Sequence, residues 1–257
     1  MKSCLKKTLV VFALIMGAFS TAGAADKAIN MKVKLDLAKT DQQNLLVFAK
    51  QLRENTHAVR NLVFEFTDSK DISRNMAPAA DSPNAAEVIY RKNYPNGDFY
   101  YLIGDLDDDW TKKDFSRYYS VAKWLAARGF RTIINVVAFT PDLQEAVSNP
   151  HTSAIVWNSH GSNDGAIYDS SKKALPKSVF NKNRSKSLKY ILFANCYGAV
   201  STDYYGLRKS KMQVIGWDRT VSSEDLFKYL FSEEFDTDLA QALNVKMLIK
   251  PKGEITL

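Results

Sequence analysis

Between Phe99 and Asp218 the chain repeats one pattern, a short and nearly unbroken apolar run followed by a polar or amphipathic connection. The runs are FYYLIGDL (Phe99 to Leu106), RTIINVVAF (Arg131 to Phe139), SAIVWNSHG (Ser153 to Gly161), LKYILFANCYG (Leu188 to Gly198) and MQVIGWD (Met212 to Asp218). They are rich in β-branched and aromatic residues and bounded by turn formers, which predicts strands. Because successive positions are apolar, rather than every second one, both faces of each strand need cover. That is the property of a parallel sheet between two layers of helices. The connections agree: DFSRYYSVAKWLAARGF places Phe115, Tyr118, Ala122 and Leu125 on one helical face and ends at Gly129. PDLQEAVSN carries Pro141 just inside a helix start, and amphipathic segments run from Ser222 to Val245. Turns and a short helix near Pro176 are expected between Ser162 and Ser187. The predicted fold is therefore α/β, three-layered, with a mostly parallel central sheet flanked by helices.

The amino-terminal third reads differently. Lys2, Lys6 and Lys7 precede the apolar run Leu9 to Phe19, and Ala22-Gly23-Ala24 follows. The run is far short of the roughly 20 residues that span a bilayer, so this is the layout of a cleavable export signal over residues 1–24 and not of an anchor. Export to a periplasmic or extracellular space is expected, without a stable membrane anchor after cleavage. Residues 25–85 then hold a small β-α-β element (MKVKLDL, DQQNLLVFAKQL, NLVFEF) and a polar, proline-containing linker from Thr67 to Ala85. The main domain occupies 86–257.

Composition excludes some partners. The 35 Lys and Arg exceed the 28 Asp and Glu only modestly, three of the lysines lie in the signal, and no basic run is interleaved with aromatics. Nothing here calls for nucleic acid. No His/Cys/Asp/Glu cluster has metal-ligand spacing, and His57 and His151 lack partner motifs and read as structural or surface residues. There is no Gly-x-Ser-x-Gly elbow and no phosphate-binding glycine loop.

Cysteine counting is more informative. Cys4 lies within the signal, so Cys196 is the only thiol expected in the mature chain. In an oxidising compartment a lone cysteine is a buried apolar residue, an intermolecular linker or a reactive group. Its neighbours favour the last. In a parallel α/β sheet functional residues gather at the carboxyl ends of strands. One strand ends in Asn158-Ser159-His160-Gly161 and the next in Ala194-Asn195-Cys196-Tyr197-Gly198. The 36 positions from His160 to Cys196 leave room for a single crossover connection. If the strands are adjacent, imidazole and thiol face one crevice. A cysteine nucleophile needs a nearby base, and the attacked carbonyl needs N–H donors such as those of Gly161 and Cys196.

An apolar strand ending in Ser-His-Gly, followed by one ending in Ala-x-Cys-x-Gly, resembles the caspase-like cysteine peptidases. That group includes caspases, metacaspases, legumain, gingipains and clostripain, and this chain is most similar to its exported bacterial members. WNSHGSNDG, with Gly165 as second glycine, and FANCYG carry the resemblance, which extends from about Phe99 to Val245. It implies an endopeptidase acting on peptide or protein substrates, with His160 as general base and acid, Cys196 as nucleophile, and the N–H groups of Gly161 and Cys196 as oxyanion hole. No cofactor is implied, with calcium left open. The strict specificity of the aspartate-directed members is not expected, because no Arg-Gly element follows the first strand. Asp105 to Trp110 instead forms an acidic stretch. It reads as a solvated loop before a helix, as a pocket for Lys or Arg, or as a calcium site. Asp107, Asp164 and Trp217 are the candidate substrate contacts, and Trp157 is expected in the core. A silent caspase-fold binding protein of the cell envelope is the competing reading, and an envelope protein cross-linked through Cys196 a third.

Overall fold

The computed structural model describes residues 29–36, 39–54, 59–67, 90–91, 93–106 and 115–245. The expected signal segment, most of the linker, His57 and Asp107 lie outside these residues. The chain divides into two compact units, Met1–Tyr90 and Arg91–Leu257. Among the described residues no helix is long and apolar enough to cross a membrane.

The first unit holds β1 (Ile29–Asp36), α1 (Asp41–Glu54) and β2 (Val59–Thr67), with β1 and β2 parallel. Met31, Val33 and Leu35 are buried while Lys32 and Lys34 are exposed, the alternation of a strand with one covered face. Phe48 of α1 packs on Phe64 of β2 with ring centroids 5.4 Å apart. Asn44 clamps the end of β1 by donating to the Asp36 carbonyl at 2.8 Å and accepting from its N–H at 3.1 Å.

The second unit contains β3 (Asp98–Ile103), α2 (Phe115–Ala126), β4 (Arg131–Asn135), α3 (Thr140–Ser148) and β5 (Thr152–Asn158). It continues with β6 (Tyr190–Ala194), α4 (Gly198–Tyr204), β7 (Gln213–Gly216), α5 (Ser223–Leu230) and α6 (Glu233–Leu243). Its strands are parallel throughout and ordered β4-β3-β5-β6-β7. Every residue of β3, β5 and β6 is buried. The fully apolar runs are thus explained by cover on both faces.

Side-chain contacts assign the layers. On one face Phe99 and Tyr190 meet Phe235 of α6, and Tyr101 meets Tyr118 of α2, which in turn touches Phe227 of α5. On the other face Phe193 packs between Phe180 and Tyr205, beside α4, and the Tyr100 hydroxyl meets Asn149 at the end of α3. The fold is α/β with a parallel sheet between helical layers. Trp157 is fully buried in β5, where it was expected.

Local differences have physical causes. The strand expected through Phe139 stops at Asn135, whose side-chain Oδ1 accepts the Val137 N–H at 3.0 Å and turns the chain. The region around Pro176 forms turns and no helix. The segment after Cys196 forms α4, a helix that was not anticipated, and Ser222 to Val245 splits into α5 and α6, each started by a capping serine.

Candidate active site

β5 and β6 are hydrogen-bonded neighbours, and their carboxyl ends present His160 and Cys196 to one cleft of about 130 Å³. Leu106, Asn158, Ser159, Ala194, Asn195, Val221, Ser222 and Leu226 complete its lining. Two residues predicted 36 positions apart to share a crevice therefore do share one.

The backbone of His160 is held on both sides. Its N–H donates to the Asp105 carbonyl at 2.8 Å, tying it to the end of β3. Its carbonyl accepts the Ser159 hydroxyl at 2.8 Å, and that hydroxyl is itself fixed by the Trp157 indole N–H at 3.0 Å. The imidazole is exposed and has no hydrogen-bond partner among the described residues. The backbone at His160 is thus fixed, while its ring makes no hydrogen bond among the described residues.

Cys196 is half-buried and is the free thiol of the described residues. It follows β6 at a sharp turn. Tyr197 takes the left-handed conformation (φ 57°, ψ 33°) and starts α4. Such a backbone is uncommon for a residue with a side chain and persists only where surroundings enforce it. Here the loop after β7 enforces it, since the Tyr197 N–H donates to the Arg219 carbonyl at 3.0 Å and the Ala199 N–H to the Trp217 carbonyl at 2.9 Å.

Asn195 links the two strand ends. Its Nδ2 donates to the Cys196 carbonyl at 2.9 Å and to the Ser201 hydroxyl at 3.3 Å, while its buried Oδ1 has no partner among the described residues. Across the crevice a Cβ on Gly161 would collide with Asn195 Nδ2 and lie 2.5 Å from the Cys196 carbonyl oxygen. The position tolerates only glycine without movement, because the His160 loop and the Cys196 turn touch backbone to side chain there. Neither the Gly161 nor the Cys196 N–H has a hydrogen-bond partner among the described residues. Two donors of the kind an oxyanion requires are thus unclaimed near the thiol.

The remaining predicted residues fall elsewhere. Asp164 is exposed and does not line the cleft; its carboxylate accepts the Ser162 hydroxyl and the Ala166 N–H, the latter at 3.1 Å. These bonds, the Ser162 hydroxyl foremost, hold its pKa below the ordinary carboxylate value. Asp164 shapes the loop after Gly161. Trp217 stands at the end of β7 with its ring 5.6 Å edge-on to Tyr229, and it too is absent from the lining. Asp107 lies outside the described residues, whereas Asp105 contributes its backbone to His160 and not its carboxylate to the cleft. His151 is half-buried in the turn before β5. No group of three or more metal-ligating side chains occurs among the described residues.

The cleft wall contributed by Val221, Ser222 and Leu226 was not anticipated. A signal for it was present in Ser222-Ser-Glu-Asp225, a capping box directly after a predicted strand. Asp225 accepts from Ser222 and from Arg219, and the Arg219 guanidinium with the Ser222 bonds holds its carboxyl well below the usual range.

Comparison of the chain with protein-family models, with curated proteins and with solved structures finds no match.

Proposed function

We propose that this chain is an exported, caspase-like cysteine endopeptidase, active in the periplasm or outside the cell. The observation carrying the reading is the presence of His160 and Cys196 at the carboxyl ends of adjacent parallel strands, lining one cleft. The chemistry follows from the groups. His160 takes the Cys196 proton, the thiolate sulfur attacks the peptide carbonyl carbon, and the oxyanion is met by the N–H groups of Gly161 and Cys196. The C–N bond breaks as His160 returns the proton to the leaving amine. Water, deprotonated by His160, then adds to the acyl-enzyme, and the thiolate departs.

The Cys196 turn supports this role, because a nucleophile on a strand-to-helix turn fixed by Asn195 and the β7 loop is held in one orientation. A binding protein that keeps the dyad without turnover is the competing reading, favoured by the absence of an orienting partner for the His160 ring among the described residues.

The test is digestion of a mixed peptide library by the full chain and by Cys196→Ala. The expected result is cleavage by the first and none by the second. Alkylation adds a second measurement: iodoacetamide should label Cys196 faster than a free thiol near neutral pH, and His160→Ala should remove the excess. Equal labelling rates in the two proteins, with no cleavage, would sink the peptidase reading.

A further inference from the structure

The cleft beside the dyad has a chemistry of its own. Leu106, Ala194, Val221 and Leu226 give it an apolar side, and Asn158, Ser159, Asn195 and Ser222 add neutral polar groups beside His160 and Cys196. Among the described residues no Lys, Arg, Asp or Glu lines it. Arg219 and Asp225, on either side of the lining residues Val221 and Ser222 in the chain, pair with each other at 3.2 Å. A Lys, Arg, Asp or Glu side chain entering such a recess would lose water without gaining a counter-charge from the described lining, which is unfavourable. A neutral side chain meets apolar surface from Leu106, Val221 and Leu226, and neutral hydrogen-bonding groups from Asn158, Ser159, Asn195 and Ser222. The volume of about 130 Å³ is close to the roughly 150 Å³ of an apolar cavity that takes benzene, so a residue of small to medium size fits.

We infer that the recess formed by Leu106, Val221, Leu226 and Ala194 receives the side chain on the acyl side of the scissile bond, and that it selects a neutral residue there. This rests on the peptidase reading for its place in catalysis, but recognition of a neutral side chain holds equally for a non-hydrolytic binder. Of the described part of the acidic stretch, Leu106 lines the cleft and the Asp105 carboxylate does not. Val221 is the position to change, since it lines the recess, is half-buried and lies in the loop before α5, outside any helix or strand.

The experiment uses the full chain and peptides that differ only at the residue preceding the scissile bond: Ala, Leu, Gln, Lys, Arg, Asp and Glu. Cleavage is measured with the wild type, and equilibrium binding with Cys196→Ala. Neutral residues should exceed charged ones by at least about tenfold in both. Val221→Asp, verified as folded by its melting curve, should improve Lys and Arg peptides by about tenfold relative to the wild type. A wild-type preference for any charged residue overturns the inference, as does an unchanged profile in Val221→Asp. Neutral preference in binding without cleavage keeps the inference and removes the peptidase reading. Failure of every peptide in both measurements overturns both.

Discussion

The two ends of the five-stranded sheet are built on different terms. At the amino end the buried charges are paired: Arg131 grips Asp98 through two bonds of 2.7 and 2.8 Å, and Arg128 grips Asp236 at 2.7 and 2.9 Å. A chain of hydrogen bonds runs there from Tyr190 through Tyr229 to Asp238 and Gln213. Burial, above all, pushes both phenols far above their ordinary pKa, so they stay protonated donors. At the carboxyl end His160 is exposed, Asn195 Oδ1 is buried without a described partner, and Tyr197 holds a left-handed backbone. The division is not absolute, for Thr132 and Thr152 at the amino end also keep hydroxyls without described partners. The lesson lies in charge and strain. Paired charges hold the amino end, and an exposed imidazole, an unsatisfied amide oxygen and a strained backbone are concentrated where the cleft opens.

That contrast predicts opposite mutational signatures. Cys196→Ala and His160→Ala should abolish peptide cleavage, a loss of about 10³-fold or more, while shifting folding free energy by only about 0.5 kcal/mol. Asp98→Ala should do the reverse. It leaves Arg131 without its carboxylate at a site where Asp98 is wholly buried, at a cost of about 3 to 5 kcal/mol. Urea denaturation measures the second effect and the peptide assay the first. Native Asp98→Ala protein should still be alkylated at Cys196 at the wild-type rate, and a slowed rate would mean that the two ends are coupled.

Asp169 sharpens the comparison, because it is a buried carboxylate that braces the carboxyl end. It accepts from the Thr140 hydroxyl at 2.9 Å and from the Ser171 hydroxyl and N–H at 2.6 and 2.9 Å, pinning the loop after β5 to the start of α3. Burial raises its pKa, but the bonds from Ser171 and Thr140 outweigh it and leave the folded value below the ordinary one. Asp169→Asn should cost about 1 to 3 kcal/mol at neutral pH. Since the folded pKa is depressed, the advantage of the wild type is fully present above the unfolded value of about 4, and disappears as pH falls through the folded one. Denaturation of both proteins at pH 7 and pH 3 measures this. A difference that persists undiminished at pH 3 would assign it to shape and not to charge.

The parallel sheet was legible because burial on both faces leaves its mark on every position of a strand, as in YILFA (Tyr190–Ala194) and TSAIVWN (Thr152–Asn158). His160 and Cys196 were legible for a related reason, since strand order and carboxyl-end position follow from that pattern. The cleft wall was not. The capping box at Ser222 marks a helix start but not where it lies: Val221 and Leu226 reach the cleft because the loop after β7 is tied to the Cys196 turn by backbone bonds from Tyr197 and Ala199, and backbone bonds carry no side-chain signature. The same limit applies to Asp164 and Trp217. Their residue types fitted a substrate contact, but hydrogen bonding to Ser162 and Ala166 and packing on Tyr229 occupy them instead.

The smallest effect is the most direct probe of strain at the cleft. Tyr197 lies in the left-handed region, where a residue with a Cβ is disfavoured by about 1 kcal/mol or more and glycine is not. Glycine also loses more backbone entropy on folding, by about 0.5 to 1 kcal/mol, so Tyr197→Gly should leave stability within about 1 kcal/mol of wild type. Tyr204→Gly is the control. Tyr204 is in α4, meets Tyr205 edge-on with centroids 4.9 Å apart and carries Lys177 over its ring at 4.3 Å, so the substitution should cost more than about 1 kcal/mol. Relief at Tyr197 also frees the turn that aims the thiol. Turnover should therefore fall by about tenfold in Tyr197→Gly with KM little changed, because orientation of the nucleophile matters in the transition state and not in binding. A stability loss as large as that of Tyr204→Gly would show that the left-handed turn at Cys196 is held by the Tyr197 side chain, and the contrast between a braced end and a strained one would then fail at the turn that carries Cys196.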